Sequence, residues 1–501
     1  MRKVRTASGA TAVQIMHKRG QRVLGIDHIG SARTEAELAL LQAIAHQRLH
    51  AGQDELPFEQ DGTGPRPSGA GGWVATVTGT SSLVLWEALE RVYSDLGFDA
   101  VKDEAFKQLV LARIIEPTSK ADTVRVLEEI GVSSRTRETF MRCLSRVLER
   151  GYRDTLGGAC YAHAAPTGHL AAVLYDLTTL YFETPREDSL RKVGMSKERR
   201  VDPQVTVGLL CDPGGFPLAV HLFEGNKAET KTLIPVLKAF QDAHGVLDLI
   251  VVADAGMLSA ANLLALQDAG LSFIVGSRAA KTPYDLAERF KTKGNHFTDG
   301  QVIETTREMG VGKDQRRRRV VYQYRFKRAK NDDRAINAMI KKAEDVASGK
   351  RPLKRDRFVR IDGATKGVDW DLVERARSLT GLKGYVTNIS VEQMDGASVV
   401  TAYQDLYQVE RSFRMAKSDL RARPVFHRVR DSIEAHLTIV FAALAVSREA
   451  QQRTGVSIKK IVQTLRPLRA ATISVGGQQL TASPLIPDEA RDILDHLNPG
   501  V

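Results

Sequence analysis

The sequence predicts an α/β protein. Two strand-like stretches, 205–211 and 216–223, flank the sequence DPGG at 212–215, which is typical of a β-hairpin. Strand and helix patterns then alternate up to residue 276, and a region with helical spacing of apolar residues precedes them at 83–153. A sheet covered by helices accounts for this order of elements.

The first 165 residues divide into three predicted segments. Residues 1–50 form a small α+β unit, because two short strands are followed by Thr34 and Glu37, the spacing of a helix capping box. Residues 51–72 contain six Gly and three Pro, a composition typical of a linker. Residues 73–165 are helical, and their three short helices fit either a DNA-binding helix-turn-helix or an ordinary bundle.

The rest of the chain divides into four further segments. They are the first part of the α/β core, a basic β-containing insertion domain, the helical second part of the core and a weakly patterned C-terminal region: 166–280, 281–398, 399–452 and 453–501. Within the third segment, one long helix is predicted at 399–417 and another at 431–451.

The positive charge of the chain is concentrated in one window. The net charge is +12, and residues 281–360 alone contain 23 Lys+Arg and 11 Asp+Glu, which equals that surplus. Such a local density favours a polyanionic partner such as nucleic acid, and the alternative is a solvated charged face. The run Arg316, Arg317, Arg318 and Arg319 lies in this window.

Composition also bounds the cellular setting. The three cysteines cannot form a disulfide framework, which favours a reducing cytoplasm. The N-terminus has no apolar signal segment, and the longest apolar run, 437–446, is too short to cross a bilayer. We therefore expect a cytoplasmic protein with no membrane partner.

Three acidic residues lie where acids are unexpected. Asp176 interrupts an apolar strand, Asp254 follows the most apolar strand, and Glu410 lies on the predicted helix at 399–417. Individually they could be a turn residue, a helix cap and half of an ion pair with Arg414. Together they form an oxygen ligand set that suits Mg²⁺, and two such ions can support in-line phosphoryl transfer.

The predicted helix at 399–417 carries further polar residues near Glu410. At about 100° per residue, Tyr403, Leu406, Glu410 and Lys417 lie within about 60° of arc. One helix face would therefore present a phenol, a carboxylate and an ammonium group, a combination suited to binding metal and phosphate.

These residues resemble the DDE transposases of bacterial insertion sequences. Tyr403, Glu410 and Lys417 match the signature Y-x2-R-x3-E-x6-K, although Leu406 occupies the arginine position. The stretches YDLTTLYFE at Asp176 and VVADAGMLSAANL at Asp254 resemble the first two motifs of that group, with a serine at the aromatic position of the second.

The resemblance implies an RNase H-like catalytic core, with a basic, β-containing insertion between the second aspartate and the glutamate. Asp176, Asp254 and Glu410 would be the catalytic residues and the metal ligands, holding two Mg²⁺ ions that Mn²⁺ could replace. Water would then cut the phosphodiester at the element end, and the freed 3′-OH would attack target DNA. Leu406 cannot hold a phosphate as arginine would. Arg411 and Arg414 are candidates to replace it, although Arg411 is next to Glu410 in the sequence and is expected to face elsewhere.

The partners implied are double-stranded DNA and a second copy of the chain. The DNA would be the terminal inverted repeats and the target, bound by a homodimer that bridges two ends in the cytoplasm of a bacterium, at the nucleoid. Tyr403, Lys417 and Arg414 would contact phosphates near the site. Further predicted DNA contacts come from the loop after Asp176 and from the arginine run: Lys197, Arg199, Arg200, Arg316, Arg317, Arg318 and Arg319.

Two other functions stay open from the sequence. One is a non-catalytic DNA-binding protein derived from a transposase, for which the basic window and the helical region would suffice. The other is a metal-dependent DNA nuclease, which would cut DNA but would not join a 3′-OH end to a target.

Overall fold

The computed structural model divides the chain into two compact units, Met1–Gly72 and Trp73–Val501. It describes residues 2–5, 11–19, 22–32, 34, 38, 41, 45, 76–167, 172–184, 186–194, 201–228, 231–246, 248–257, 259–277, 284–294, 296–352, 356–362, 365–475 and 478–498. The predicted linker 51–72 lies outside these residues, as does most of the helix predicted after Thr34.

The first unit contains a three-stranded antiparallel sheet. Its strands are β1 (Arg2–Arg5), β2 (Thr11–Arg19) and β3 (Arg22–Ala32), in the order β1-β2-β3. Val13 and Ile15 of β2 alternate toward the same face and pack with Ala45. The two strands expected in this segment are therefore present, and a third pairs with them.

The second unit is built on an eight-stranded sheet. Five of its strands are β5 (Ala172–Tyr181), β6 (Gln204–Cys211), β7 (Pro217–Glu224), β8 (Ile250–Ala253) and β9 (Ser272–Ser277). They lie in the order β7-β6-β5-β8-β9, with β5, β8 and β9 parallel and β6 antiparallel to β5. This topology is consistent with an RNase H-like core.

The hairpin between β6 and β7 forms where the sequence predicts it. The Asp212 carboxylate accepts a hydrogen bond from the Phe216 backbone N–H at 2.7 Å, and Gly215 adopts a left-handed φ of 83°. Helix α6 (Leu233–His244) connects the hairpin to β8. Helix α7 (Ala260–Asp268) then connects β8 to β9.

Three strands of the segment 281–398 extend the same sheet. They are β10 (Val302–Met309), β11 (Arg316–Tyr324) and β14 (Leu382–Thr387), which continue the order as β10-β11-β14-β9. The elements α8 (Tyr284–Lys293), α9 (Phe326–Ala347), β12 (Val359–Asp362), β13 (Thr365–Val368) and α10 (Trp370–Arg377) complete this segment. α9 and α10 share a small hydrophobic cluster of their own around Phe358.

The helical region before β5 packs into the main core. Its helices are α1 (Leu83–Asp95), α2 (Glu104–Ile115), α3 (Thr123–Ile130), α4 (Arg137–Glu149) and α5 (Tyr152–Ala164). They share one continuous set of buried apolar residues with the sheet and with α13 (Arg430–Thr454). Because these elements surround α13, its residues from Ile433 to Ala450 are almost all buried. None of the helices that the structure describes is both long and apolar enough to cross a membrane.

The C-terminal segment contains elements that its weak patterning did not predict. They are α14 (Ile458–Leu465), β15 (Ala470–Val475), β16 (Gln478–Ala482) and α15 (Asp488–Leu497). β15 pairs with β16 and with β4 (Thr76–Ser81), so that the start and the end of this unit share a three-stranded sheet.

The prediction of a single helix at 399–417 is wrong. The structure has α11 (Gly396–Gln404) and α12 (Tyr407–Ser418), separated by a turn at Asp405 and Leu406. Backbone hydrogen bonds from Leu406 to Tyr403 and from Val409 to Leu406 span three residues instead of four. Because this turn is tighter than an α-helix, the angle of about 100° per residue does not apply across it.

Candidate active site

Asp176 and Asp254 lie side by side at the candidate site. Strands β5 and β8 are parallel, and Tyr175 of β5 is the register partner of Ala253 of β8. The residues that follow these two partners, Asp176 and Asp254, therefore come next to each other on strands about 4.8 Å apart. In parallel strands with this register, the two side chains point to the same face of the sheet.

Tyr403 links α11 to this pair of aspartates. Its hydroxyl donates a hydrogen bond to the Asp254 carboxylate at 3.0 Å. Burial, and then the negative charges of Asp254 and Asp176, raise the pKa of Tyr403 above its ordinary value. The phenol therefore stays protonated and continues to act as a donor toward the carboxylates.

The ring of Tyr403 is held by three residues of neighbouring strands. Gly276 of β9 lies so close that a Cβ there would collide with the Tyr403 hydroxyl and come within 2.9 Å of Cζ. On β14, the Tyr385 ring lies with its centroid 4.7 Å from the Tyr403 centroid, and the Lys383 ammonium lies 5.2 Å from it. A glycine and a cation–π contact thus fix the phenol next to Asp254.

Helix α12 lies across the sheet face that carries Asp176. Thr178 and Leu180, two and four residues after Asp176 on β5, line a small cavity with Phe413 and Lys417 of α12. Alternate residues of a strand share a face, so Asp176 belongs to the face that α12 covers. The Ser412 hydroxyl anchors the helix by donating to the Gly215 carbonyl at 2.7 Å.

Glu410 lines a cavity of about 400 Å³ near the aspartates. Tyr403 and Leu406 line the same cavity, so the structure brings these three predicted residues together despite the turn between their helices. The other lining residues come from α11, α12 and the insertion: Gln404, Tyr407, Gln323, Arg325, Arg328, Lys383 and Tyr385.

The carboxylates of the site fit a metal ion in part. In the described part of the chain, no group of three His, Cys, Asp or Glu side chains is close enough to hold one. The adjacent Asp176 and Asp254 do fit the need of Mg²⁺ for one or two carboxylates plus substrate phosphate. Glu410 is exposed and stands apart from the aspartate pair in this structure.

Asp254 is not the cap of the helix that follows it. Ser259 has that role, since its hydroxyl accepts a hydrogen bond from the Asn262 backbone N–H at 3.1 Å at the start of α7. The serine at the aromatic position of the second motif is therefore explained as a helix N-cap.

The four arginines 316–319 lie on a strand, so their side chains point alternately to its two faces. Residues 316–319 open β11, where successive side chains alternate between faces. Arg318 is 4% exposed, lies 5.1 Å from the Phe273 ring centroid and donates to Gln267. Arg319 pairs with Glu304 at 2.7 Å. The DNA contacts predicted for this run therefore depend on Arg316 and Arg317.

The other predicted DNA contacts differ in position. Arg414 is exposed on α12, one turn beyond Glu410, and Lys417 is half-buried beside β5. Lys197, Arg199 and Arg200 lie outside the described residues.

Sequence reasoning missed three cations that line the cavity of Glu410. Arg325, Arg328 and Lys383 line the cavity of Glu410, and none of them belongs to a motif. The excess of positive charge at 281–360 indicated the right part of the chain for the two arginines. It could not select them among 23 basic residues, because β11, α9 and β14 meet only in the folded sheet.

The fold and the site together define a class: α/β proteins with two aspartates side by side on adjacent parallel strands, one within β5 and one directly after β8. The chain belongs to the transposase DDE domain family, whose sequence model matches residues 170–446, more than half of its length. The protein is therefore a transposase.

Two solved transposase structures are similar to the chain. A piggyBac transposase synaptic complex with hairpin DNA is 12% identical, with a TM-score of 0.39 and coverage of 79% of this chain and 82% of that one. A Mos1 transposase paired-end complex with the left transposon end is 15% identical, with a TM-score of 0.16 and coverage of 46% and 66%. The comparison with curated protein sequences gives no significant match.

Proposed function

We propose that this transposase is an insertion-sequence enzyme that cuts and joins DNA at terminal inverted repeats. The observation that carries the proposal is the register of β5 and β8, which places Asp176 beside Asp254. We further propose that these two residues, with Glu410 of α12, hold two Mg²⁺ ions, which Mn²⁺ can replace. When bound, such ions lower the pKa of water and stabilise the attacking and leaving oxygens of a phosphoryl transfer.

The proposed reaction has two steps. A water oxygen attacks the phosphorus at the element end and gives up a proton to solvent, the bond from phosphorus to the 3′ oxygen breaks, and the leaving oxygen takes up a proton to become a 3′-OH. That 3′-OH then attacks a phosphodiester of target DNA and loses its proton, and the 3′ oxygen that it displaces takes up a proton. The Tyr403 hydroxyl, which donates a hydrogen bond to Asp254 at 3.0 Å, holds that carboxylate in position.

The rest of the proposal concerns DNA and assembly. Tyr403, Lys417 and Arg414 bind phosphates close to the carboxylates, and further backbone phosphates are bound by Arg316, Arg317, Lys197, Arg199 and Arg200. A homodimer holds two element ends, and the protein acts at the nucleoid of a bacterial cell. Support for these points comes from the basic charge of the chain and from the resemblance of its motifs.

Asp254→Asn tests the catalytic assignment. The substitution removes one negative charge beside Asp176, and we expect loss of nicking of an element-end duplex in Mg²⁺, with duplex affinity retained. The measurement is the rate of strand cleavage at saturating protein. Asp242→Asn, on the exposed side of α6, is the matched control and should cleave at the wild-type rate.

Nicking by Asp254→Asn at the wild-type rate would overturn the assignment. Binding of ends without cleavage by the wild type in any divalent ion would instead indicate a non-catalytic DNA-binding protein. Cleavage without joining of a pre-cut 3′-OH end to target DNA would indicate a nuclease.

A further inference from the structure

Two neighbouring cavities lie where the insertion strands approach Glu410. The cavity of about 400 Å³ beside Glu410 shares Arg328 and Lys383 with a second cavity of about 460 Å³. Gln323 lines the first cavity and its strand neighbour Tyr322 lines the second, so the two cavities lie on opposite faces of the sheet. A ligand at the carboxylates therefore meets the first cavity.

Basic side chains outnumber acidic ones in the lining of the first cavity. Arg325, Arg328 and Lys383 line it, and the acidic group among its lining residues is Glu410. The cavity is therefore positive next to the aspartates, which suits a polyanion that must bring phosphate up to carboxylates.

The two arginines of the first cavity keep much of their surface exposed. Arg328 approaches Asp332 at 3.5 Å with its side chain 46% exposed, and Arg325 approaches Asp299 at 4.0 Å with its side chain 49% exposed. Ion pairs of this length and exposure contribute little free energy. A phosphate can therefore compete for both guanidinium groups at low cost.

Lys383 lies near Tyr403, the residue that contacts Asp254. Its ammonium lies 5.2 Å from the centroid of the Tyr403 ring, and the hydroxyl of the same ring donates to Asp254. One tyrosine side chain thus separates Lys383 from the aspartate pair. Leu406, an apolar residue, lines the same cavity, so the positive charge at this place comes from the insertion and not from α11 or α12.

We propose that Arg325, Arg328 and Lys383 form a phosphate-binding cluster that holds the DNA backbone next to the cleaved bond. The guanidinium groups supply planar paired donors for phosphate oxygens, and Lys383 supplies a point charge nearer to Asp254. The proposal rests on the proposed function, because the ligand is a DNA phosphodiester at the site of Asp176, Asp254 and Glu410.

Binding to a short mixed-sequence duplex without divalent ions tests the cluster independently of catalysis. We expect Arg325→Gln and Arg328→Gln each to raise Kd about tenfold and to lower the salt slope of binding by about 0.9. Arg334→Gln, exposed on α9 outside both cavities, is the matched control and should leave Kd and slope unchanged. Arg325→Lys keeps the charge and should retain the slope.

Cleavage of an element-end duplex in Mg²⁺ gives the second readout. Arg325→Gln and Arg328→Gln should cleave at least tenfold more slowly than Arg334→Gln, with melting temperatures equal to the wild type. Unchanged Kd, slope and cleavage in both variants would overturn the cluster while leaving the assignment of Asp254 intact. Failure of the wild type to cleave would overturn the proposed function, and the binding results would still decide on the cluster.

Discussion

At the scale of single residues, the position of one hydroxyl organises the candidate site. Tyr403 belongs to the last sequence motif, yet its hydroxyl bonds to Asp254 of the second motif at 3.0 Å. Burial together with two neighbouring carboxylates raises the pKa of Tyr403, so the proton remains on the phenol. A hydrogen bond from a neutral donor to a carboxylate is worth about 1.5–3 kcal/mol.

Tyr403→Phe isolates this hydrogen bond, because the ring and its contacts with Tyr385 and Lys383 are kept. We expect cleavage to slow by about tenfold, since Asp254 loses its fixed orientation. The measurement is the single-turnover cleavage rate, accompanied by a melting curve. Tyr161→Phe, on α5 with its ring stacked on His244 and outside the cavity of Glu410, is the control and should match the wild type. A wild-type rate for Tyr403→Phe would show that the hydroxyl does not position Asp254.

At the scale of elements, the insertion strands build one wall of the site. β14 pairs with β9, which brings Lys383 and Tyr385 against Tyr403 and places Gly276 beneath the ring. The insertion therefore contributes to the geometry of the carboxylates as well as to the charge of the chain. β9 needs a residue without a side chain at 276, because the phenol occupies the space that a Cβ would take.

Gly276→Ala tests this packing of α11 on β9. The added methyl group displaces the Tyr403 ring, so we expect a loss of stability of about 1–3 kcal/mol together with loss of cleavage. In the Tyr403→Ala variant, Gly276→Ala should lower the free energy of unfolding much less. A double-mutant cycle of unfolding free energies measures this difference. Equal costs in the two backgrounds would contradict the predicted collision. Gly158→Ala, in a helix position with open space around it, should not destabilise.

At the scale of the whole molecule, buried histidines couple folding to pH. Burial, and then the charge of Arg153, lower the pKa of His221 to about 4. Burial, and then the charges of Lys120 and Arg113, lower the pKa of His436 well below its ordinary value. His436 is held neutral in α13, where its Nε2–H donates to the Ala422 carbonyl at 3.1 Å. Both histidines stay neutral in the folded chain at pH values where the unfolded chain binds protons.

Stability should therefore fall as the pH falls below about 6.5. The unfolded histidines take up protons near 6.5, whereas folded His221 does not until about 4 and folded His436 also resists protonation, so acid favours the unfolded state. Between pH 6.5 and 5.5 we expect a loss of about 1 kcal/mol from His221 and a further loss from His436. Denaturant unfolding at these two pH values measures it, and His221→Asn should reduce the loss by about its own share. A stability that does not change across this interval would contradict the burial of these rings.

Local patterns in the sequence suffice to predict those features that depend on neighbours along the chain. Alternation and turn chemistry predict the β6–β7 hairpin, and an acid directly after an apolar strand marks Asp254. The bend at Asp405 and Leu406 escapes such reasoning, because residues 399–417 keep a helical pattern through a turn with three-residue hydrogen bonds. Local patterns do not predict the pairing of β4 with β15 either, since it joins residues almost 400 positions apart.

The sequence by itself determined the α/β class, the three acidic residues and the basic window of this transposase, because each of these features depends on local composition and spacing. The tertiary structure decided which of those residues meet. Only the parallel register of β5 and β8 brings Asp176 to Asp254, and only the pairing of β14 with β9 brings Lys383 to Tyr403. Strand pairing depends on contacts between distant segments, and local periodicity carries no information about them.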